Sequence, residues 1–272
     1  TPTLTSGTAG PDGNASGDLT MGLGSSITSQ DGNVLADARR NAVIDTINAN
    51  SNADAISGDV TVRARTGAIT DVNAAAMNIT GRNLSMTAST GIATAADELE
   101  TTVNRMEAQN GTGGIFTNNT GALEIGNADA ALTGIQDAGG DVRIIGNSSI
   151  TVNEAMANTS GGNTTITGNG AAPGDSIIIN ANIANTGGSG NMTLSAGDEI
   201  LVNGSSVVSA AGTGAINATS GTGVAGGNIT MASGSAFRAK DGSITLTADG
   251  DANIAEVNAN SDADTVRGNV TI

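Results

Sequence analysis

Cysteine, histidine, tryptophan and tyrosine are absent from this 272-residue chain, and only two aromatic residues occur, Phe116 and Phe237. Each absence removes a class of answer. Without Cys no disulfide framework can staple the fold. Without His and Cys the usual zinc sites and the Ser-His or Cys-His nucleophilic arrangements cannot be assembled. The single lysine, Lys240, sits in a KDG turn and supports no Ser-Lys pair. The shortage of rings argues against an ordinary globular core, which large aromatic side chains usually dominate. It argues equally against two β-sandwiches of about 130 residues each, which normally need aromatic anchors. No run of about 18 apolar residues is present, so no helix is expected to cross a membrane. No signal peptide opens the sequence, and if the protein is exported its signal is expected outside this stretch.

Positive charge is scarce as well: 10 Lys and Arg stand against 26 Asp and Glu, a formal net charge of −16. Nucleic-acid binders carry a basic face, so nucleic acid is excluded as a partner. The same balance argues less strongly against anionic membrane surfaces, and direct membrane insertion is not expected. The balance leaves room for divalent cations.

What the chain has is Gly (40 residues), Asn, Ser, Thr and small aliphatics. Such composition alone would suit a disordered segment, but the polar residues are interrupted by regular apolar alternation. One phrase recurs: Gly, a polar residue, then apolar–Thr–apolar. It reads GDLTM at 17–21, GDVTV at 58–62, GNTTI at 162–166, GNMTL at 190–194, GNITM at 227–231, GSITL at 242–246 and GNVTI at 268–272. Period-two alternation, β-branched residues and Gly/Asn/Asp boundaries mark these as short strands. The strong phrases fall near multiples of about 20 residues, enough for one coil of a β-solenoid that buries inward side chains on its neighbours. The expected fold is all-β, a parallel β-solenoid with coils of about 20 residues. At an inter-strand spacing of roughly 4.8 Å, about 13 coils would form a rod of roughly 60 Å.

A second regularity is longer. Residues 17–62 align with 227–272 without a gap, and 19 of the 46 positions are identical. The chain is therefore expected to be one continuous solenoid segment, 1–272, of a larger tandem array with a 210-residue unit of ten or eleven coils. Residues 94–111 (TAADELETTVNRMEAQNG) break the pattern. Leu99, Val103 and Met106 stand at i, i+4 and i+7, as on one helix face. The segment reads either as a helical or loop excursion from the rod, or as a coil with a longer turn.

Together with GGIFTNNTGALEIG at 113–126, the phrases GNITM and GSITLTA and the coil spacing resemble the repeat region of filamentous-haemagglutinin-like bacterial exoproteins. The resemblance is one of style over nearly the whole chain. It implies a right-handed parallel β-helix, secreted by a two-partner route and placed at the cell surface or released, acting as stalk, adhesin or matrix component.

The residues offer little chemistry. Polysaccharide cleavage would need paired carboxylates on one face. Asp249 with Asp251, and Asp97 with Glu98 and Glu100, are the pairs available. They lie in a turn and in a surface segment, so no enzyme is expected. DGDAN places Asp249, Asp251 and Asn253 at alternate positions, like the opening of a calcium loop. It lacks the later Gly and distal Glu of that motif. Ca2+ is the one cofactor to test, against the plainer role of Asp and Asn as turn formers. Asn48, Asn50 and Asp54 recur as Asn258, Asn260 and Asp264, and are read as turn residues or coil-to-coil ladders. N-x-S/T sequons are numerous, as composition dictates. An ice-binding face would need T-x-T at one position per coil, and no such column is visible in the sequence.

Two functions follow. In one, the chain is a structural rod of a large extracellular or cell-surface repeat protein, partnered by other copies of itself in a filament or lattice. In the other, it is an adhesin that binds surface glycans through inserted segments, with 94–111 the first place to look.

Overall fold

In the computed structural model, described over residues 2–6, 17–262 and 264–272, thirty-one strands and no helix occur among the described residues. All strand pairing between these strands is parallel. A seventeen-stranded sheet forms the front of the molecule. The back consists of an eleven-stranded and a three-stranded sheet, linked by the single bridges Ile69–Ile92 and Ile92–Ile115. The chain passes from one sheet to the other and back in each coil, giving a β-solenoid of about ten turns with about 26 residues per turn.

The coils are longer than the phrase spacing implies, and fewer. The reason is visible along one column. Leu4, Ala36, Val62, Met86, Ala108, Ile135, Met156, Ile183, Val208, Phe237 and Val257 stack in register, one residue per coil. Their sequence separations vary, because turns of different length are inserted between strands whose pairing does not change.

Each coil carries one long strand on one sheet and two short strands on the other. In the first part of the molecule the long strands lie in front, as Val34–Ala38, Val60–Ala64, Asn83–Ala88 and Arg105–Asn110. Further along they lie behind, as Ile115–Asn119, Val142–Gly146, Thr164–Gly168 and Met192–Ala196. Alternate residues point inward: Val60, Val62 and Ala64 are buried, while Thr61 and Arg63 are not. Inward Ile, Val, Leu, Met and Ala from both sheets form one continuous core. A narrow core of this kind needs no rings, and each fully buried Ile or Leu contributes about 1.5–3 kcal/mol.

The polar residue after the phrase's Gly has a structural task. Its side-chain oxygen accepts the backbone N–H of the next coil, adding one rung to the ladder. Asp141 Oδ1 accepts from Asn163 N (2.7 Å), Asn163 Oδ1 from Asn191 N (3.0 Å) and Asn191 Oδ1 from Ala215 N (2.9 Å). Asn228 Oδ1 accepts from Asp251 N (2.7 Å) in the same way. Ser243 does the same through its hydroxyl, Oγ accepting from Asn269 N (3.1 Å). A short side chain with an acceptor oxygen is what the position needs, and the phrase reads GN, GD or GS.

The segment 94–111 is not a helix. Residues 99–110 supply the strands Leu99–Thr102 and Arg105–Asn110, and Leu99, Val103 and Met106 are buried in the solenoid core. Parallel neighbours above and below saturate the backbone of these strands, so the local helical spacing is overridden. Only residues 94–98 leave the coil, as a turn closed by Thr94 and Asp97.

Candidate functional site

The outward residues of the back sheet's long strands form a column: Phe116, Arg143, Thr165, Thr193, Asn217, Thr245 and Thr271. An outward Phe would normally be exposed. Phe116 is only 8% exposed, and Ala95, on the 94–98 turn, lines the same groove. Arg143 pins that turn. Its Nη1 donates to Ala95 O (3.4 Å) and its Nη2 forms an ion pair with Glu98 Oε1 at 3.1 Å. Glu98 belongs to the coil two levels away from Arg143, so one guanidinium ties the turn down across the intervening coil.

Beside this tie runs a groove of about 300 Å³, lined by Ala95, Phe116, Asp141, Arg143, Asn163 and Thr165 among others. A ring edge, one guanidinium offset by one carboxylate, amides and hydroxyls converge there. The chemistry suits a neutral, hydroxyl-rich ligand, with the ring and methyls for its apolar faces and the amides for its hydroxyls.

Under the same turn lies an acidic patch. Burial pushes the Glu100 carboxyl up to about 7, helped by the charges of Asp71, Asp97 and Glu98. Glu100 Oε2 and Asp71 Oδ2 are both shielded from solvent without a hydrogen-bond partner. On the front sheet, Glu107 is fully buried although its position in the strand points outward. The loop 126–134 folds over it and donates Ala128 N (3.1 Å), Asp129 N and Gly134 N (3.2 Å) to its carboxylate. Burial and a hydrogen bond with Glu154 push the Glu107 carboxyl up, and the same bond holds Glu154 down. Glu154 itself accepts from Asn127 N (3.3 Å) and Gly134 N (3.0 Å).

The residues singled out in the sequence lie elsewhere. Asp249 and Asp251 are exposed; Asp249 Oδ2 accepts from Gly226 N (2.7 Å), and Asn253 pairs with Thr230 in the front sheet. Neither Asp belongs to the one group of three metal-competent side chains among the described residues, Asp241, Asp262 and Asp264. That group already has a cation, with Lys240 Nζ 3.2 Å from Asp262 Oδ2. Asn48, Asn50 and Asp54 bond within their own loop. Asn48 Oδ1 accepts from Asn50 N (2.8 Å), Asn50 Nδ2 donates to Asp54 O (3.0 Å), and Asp54 Oδ1 accepts from Ile56 N (2.7 Å). Asn258, Asn260 and Asp264 repeat the pattern at 3.0, 3.0 and 2.7 Å, the last to Val266 N. A coil-to-coil Asn ladder exists at residues that drew no attention in the sequence: Asn180 Nδ2 donates to Asn153 Oδ1 (2.7 Å) and Asn203 Nδ2 to Asn180 Oδ1 (2.9 Å).

No regular T-x-T column forms. Thr165 and Thr167, Thr193 and Ser195, Asn217 and Thr219, and Thr245 and Thr247 stand in register on four consecutive coils. Ser195 and Asn217 interrupt the motif on two of the four. Outward Thr is what a pleated, half-buried surface selects in any case.

No protein-family model, curated protein or solved structure matches this chain. Of the resemblance drawn from the sequence, the parallel β-solenoid with its tandem repeat is what the structure carries.

Proposed function

We propose that this chain is a structural rod, a stalk or lattice element of a large repetitive protein at the cell surface or outside the cell, self-associating and without a catalytic step. The observation that carries the reading is the column of buried residues from Ala36 to Phe237, in register from coil to coil along one axis. Cross-coil ion pairs support it: Arg65 to Asp37 (Nε–Oδ1 2.7 Å), Arg82 to Asp59 (2.9 Å), Arg105 to Glu124 (2.9 Å) and Arg238 to Glu256 (2.8 Å) each join neighbouring coils. Residence outside the cell, and kinship with filamentous-haemagglutinin-like exoproteins, rest on the phrase resemblance. Small-angle scattering and sedimentation of the chain test the reading. A rod of roughly 50 Å, from about ten turns at the inter-strand spacing, that associates with itself as concentration rises is expected. A compact or strictly monomeric particle would sink it.

The groove beside Phe116 favours a second reading, an adhesin for neutral surface glycans. A glycan panel probed with the chain and with Thr165→Lys, which fills the groove, separates the two. Binding lost in the variant supports adhesion, and no binding by either leaves the rod alone.

A further inference from the structure

The tandem copies have the same internal geometry but do not occupy the same sheets. Within the first copy Leu19 pairs with Ala42, Ile27 with Ile47 and Val34 with Val60. Within the second, the equivalent residues pair identically: Ile229 with Ala252, Phe237 with Val257 and Ile244 with Val270. Yet all six strands have changed sides. The short strands at Leu19, Ile27, Ala42 and Ile47 lie in the back sheet, and their counterparts at Ile229, Phe237, Ala252 and Val257 lie in the front one. The long strands at Val34 and Val60 lie in front, and those at Ile244 and Val270 behind.

The cause is local. Elsewhere two short strands separate one long strand from the next. At one place they are missing: Arg105–Asn110 in front is followed directly by Ile115–Asn119 behind. The link is the four-residue turn GTGG, where Gly113 and Gly114 adopt φ of +93° and +88°. From there the long front strand stacks on two short ones, Arg105 on Glu124 and Gln109 on Gln136. The back column then runs from Leu19 through Ala42, Ile69, Ile92, Ile115, Val142, Thr164 and Met192 to Ile216, eight whole coils, before Ile229 is reached half a coil later.

We propose that the strand pair 105–119 is a half-coil phase slip that turns the tandem unit, so that its surface features appear on opposite sides of the rod in successive copies. The loop held by Asn50 and Asp54 shows the consequence. Its tip, Ile56, is 64% exposed, and the equivalent Val266 is 52% exposed. In the first copy the loop runs from back sheet to front, and in the second from front to back, so the two tips leave opposite edges. An array with one slip per unit is a two-sided rod whose axial repeat is two units rather than one.

This rests on the solenoid rod of the preceding section, and the two can fail separately. The native chain has no Cys, so paired Cys variants report neighbours directly. Gln109 and Gln136 are neighbours across the slip. If the next long strand, Val142–Gly146, stacked in front on Arg105–Asn110, Gln109 would instead neighbour Ile145. Thr167 and Ser195 are partners far from the slip and test the solenoid itself. With a short bismaleimide and peptide mass spectrometry, linked peptides are expected from Gln109→Cys/Gln136→Cys and from Thr167→Cys/Ser195→Cys, and none from Gln109→Cys/Ile145→Cys. Linkage of 109 to 145 in place of 136, with the control pair linked, overturns the slip and leaves the rod. Failure of the control pair overturns both.

Discussion

Arg143 and Glu98 meet at 3.1 Å across two levels of the solenoid, and with the Ala95 contact they hold the 94–98 turn down beside Phe116. The two side chains are 40% and 13% exposed, so the pair is worth no more than about 1 kcal/mol. Arg143→Ala is expected to change the melting temperature little but to release the turn. Hydrogen exchange at residues 94–98 should accelerate while the neighbouring strands stay protected. Unchanged exchange would mean that the turn is held by something other than Arg143.

Glu100 gives the chain a pH dependence of known sign. Its carboxyl, ordinarily near 4.5, holds its proton in the folded chain up to about 7. Below 4.5 both states are protonated and nothing is lost. Between 4.5 and 7 the unfolded chain ionises this group and the folded chain does not, so its contribution to stability falls as pH rises, then levels off. Glu100→Gln should therefore raise the melting temperature at pH 8 and leave it nearly unchanged at pH 4.5. An equal gain at both values would rule out titration of this group as the cause.

Inward and outward positions of one strand should differ sharply. Ile166 is fully buried between Ile144 and Leu194, and Ile166→Ala is expected to cost about 2–5 kcal/mol. Thr165, its outward neighbour, should cost less than about 0.5 kcal/mol as Thr165→Ala. Urea unfolding of the two variants makes the comparison, and similar midpoints would contradict the assigned strand phase.

Gly114 is bound to its residue type twice over. Its φ is +88°, and a Cβ there would lie 2.4 Å from Asp141 O, a backbone atom with nowhere to go. Gly114→Ala should destabilise by more than the roughly 1 kcal/mol typical of a lost Gly in the left-handed region. Gly174, with φ +95° and open space around it, is the control for conformation alone. Equal losses at the two sites in thermal melts would remove the steric part.

Chelation should do nothing. Lys240 already supplies positive charge to Asp241, Asp262 and Asp264, and Asp249 is engaged with Gly226 N. Melting curves with and without EDTA are expected to coincide. A loss of stability in EDTA would restore a calcium role for these turns.

The sequence by itself determined the elements. Alternation such as VTV at 60–62 or ITL at 244–246 declares a strand and its inward face, because the period of two is local to the strand. It also declared the aliphatic core and the poverty of reactive groups, while the rung made by each phrase's polar residue appeared only in the structure. It left 94–111 open between a helix and a coil with a longer turn, since the spacing of Leu99, Val103 and Met106 fits a helix face as well as a strand, a turn and a strand; the structure takes the second. Tertiary structure alone decided coil length, the sheet each strand joins, the burial of Glu107 under the 126–134 loop and the alignment of the outward Thr residues. Those depend on which distant strands pair, and pairing sums the lengths of all intervening turns. Two near-copies of 46 residues therefore carry the same local signal and still end on opposite sides of the rod. The four-residue turn at 111–114, far from both in sequence, had already shifted the phase.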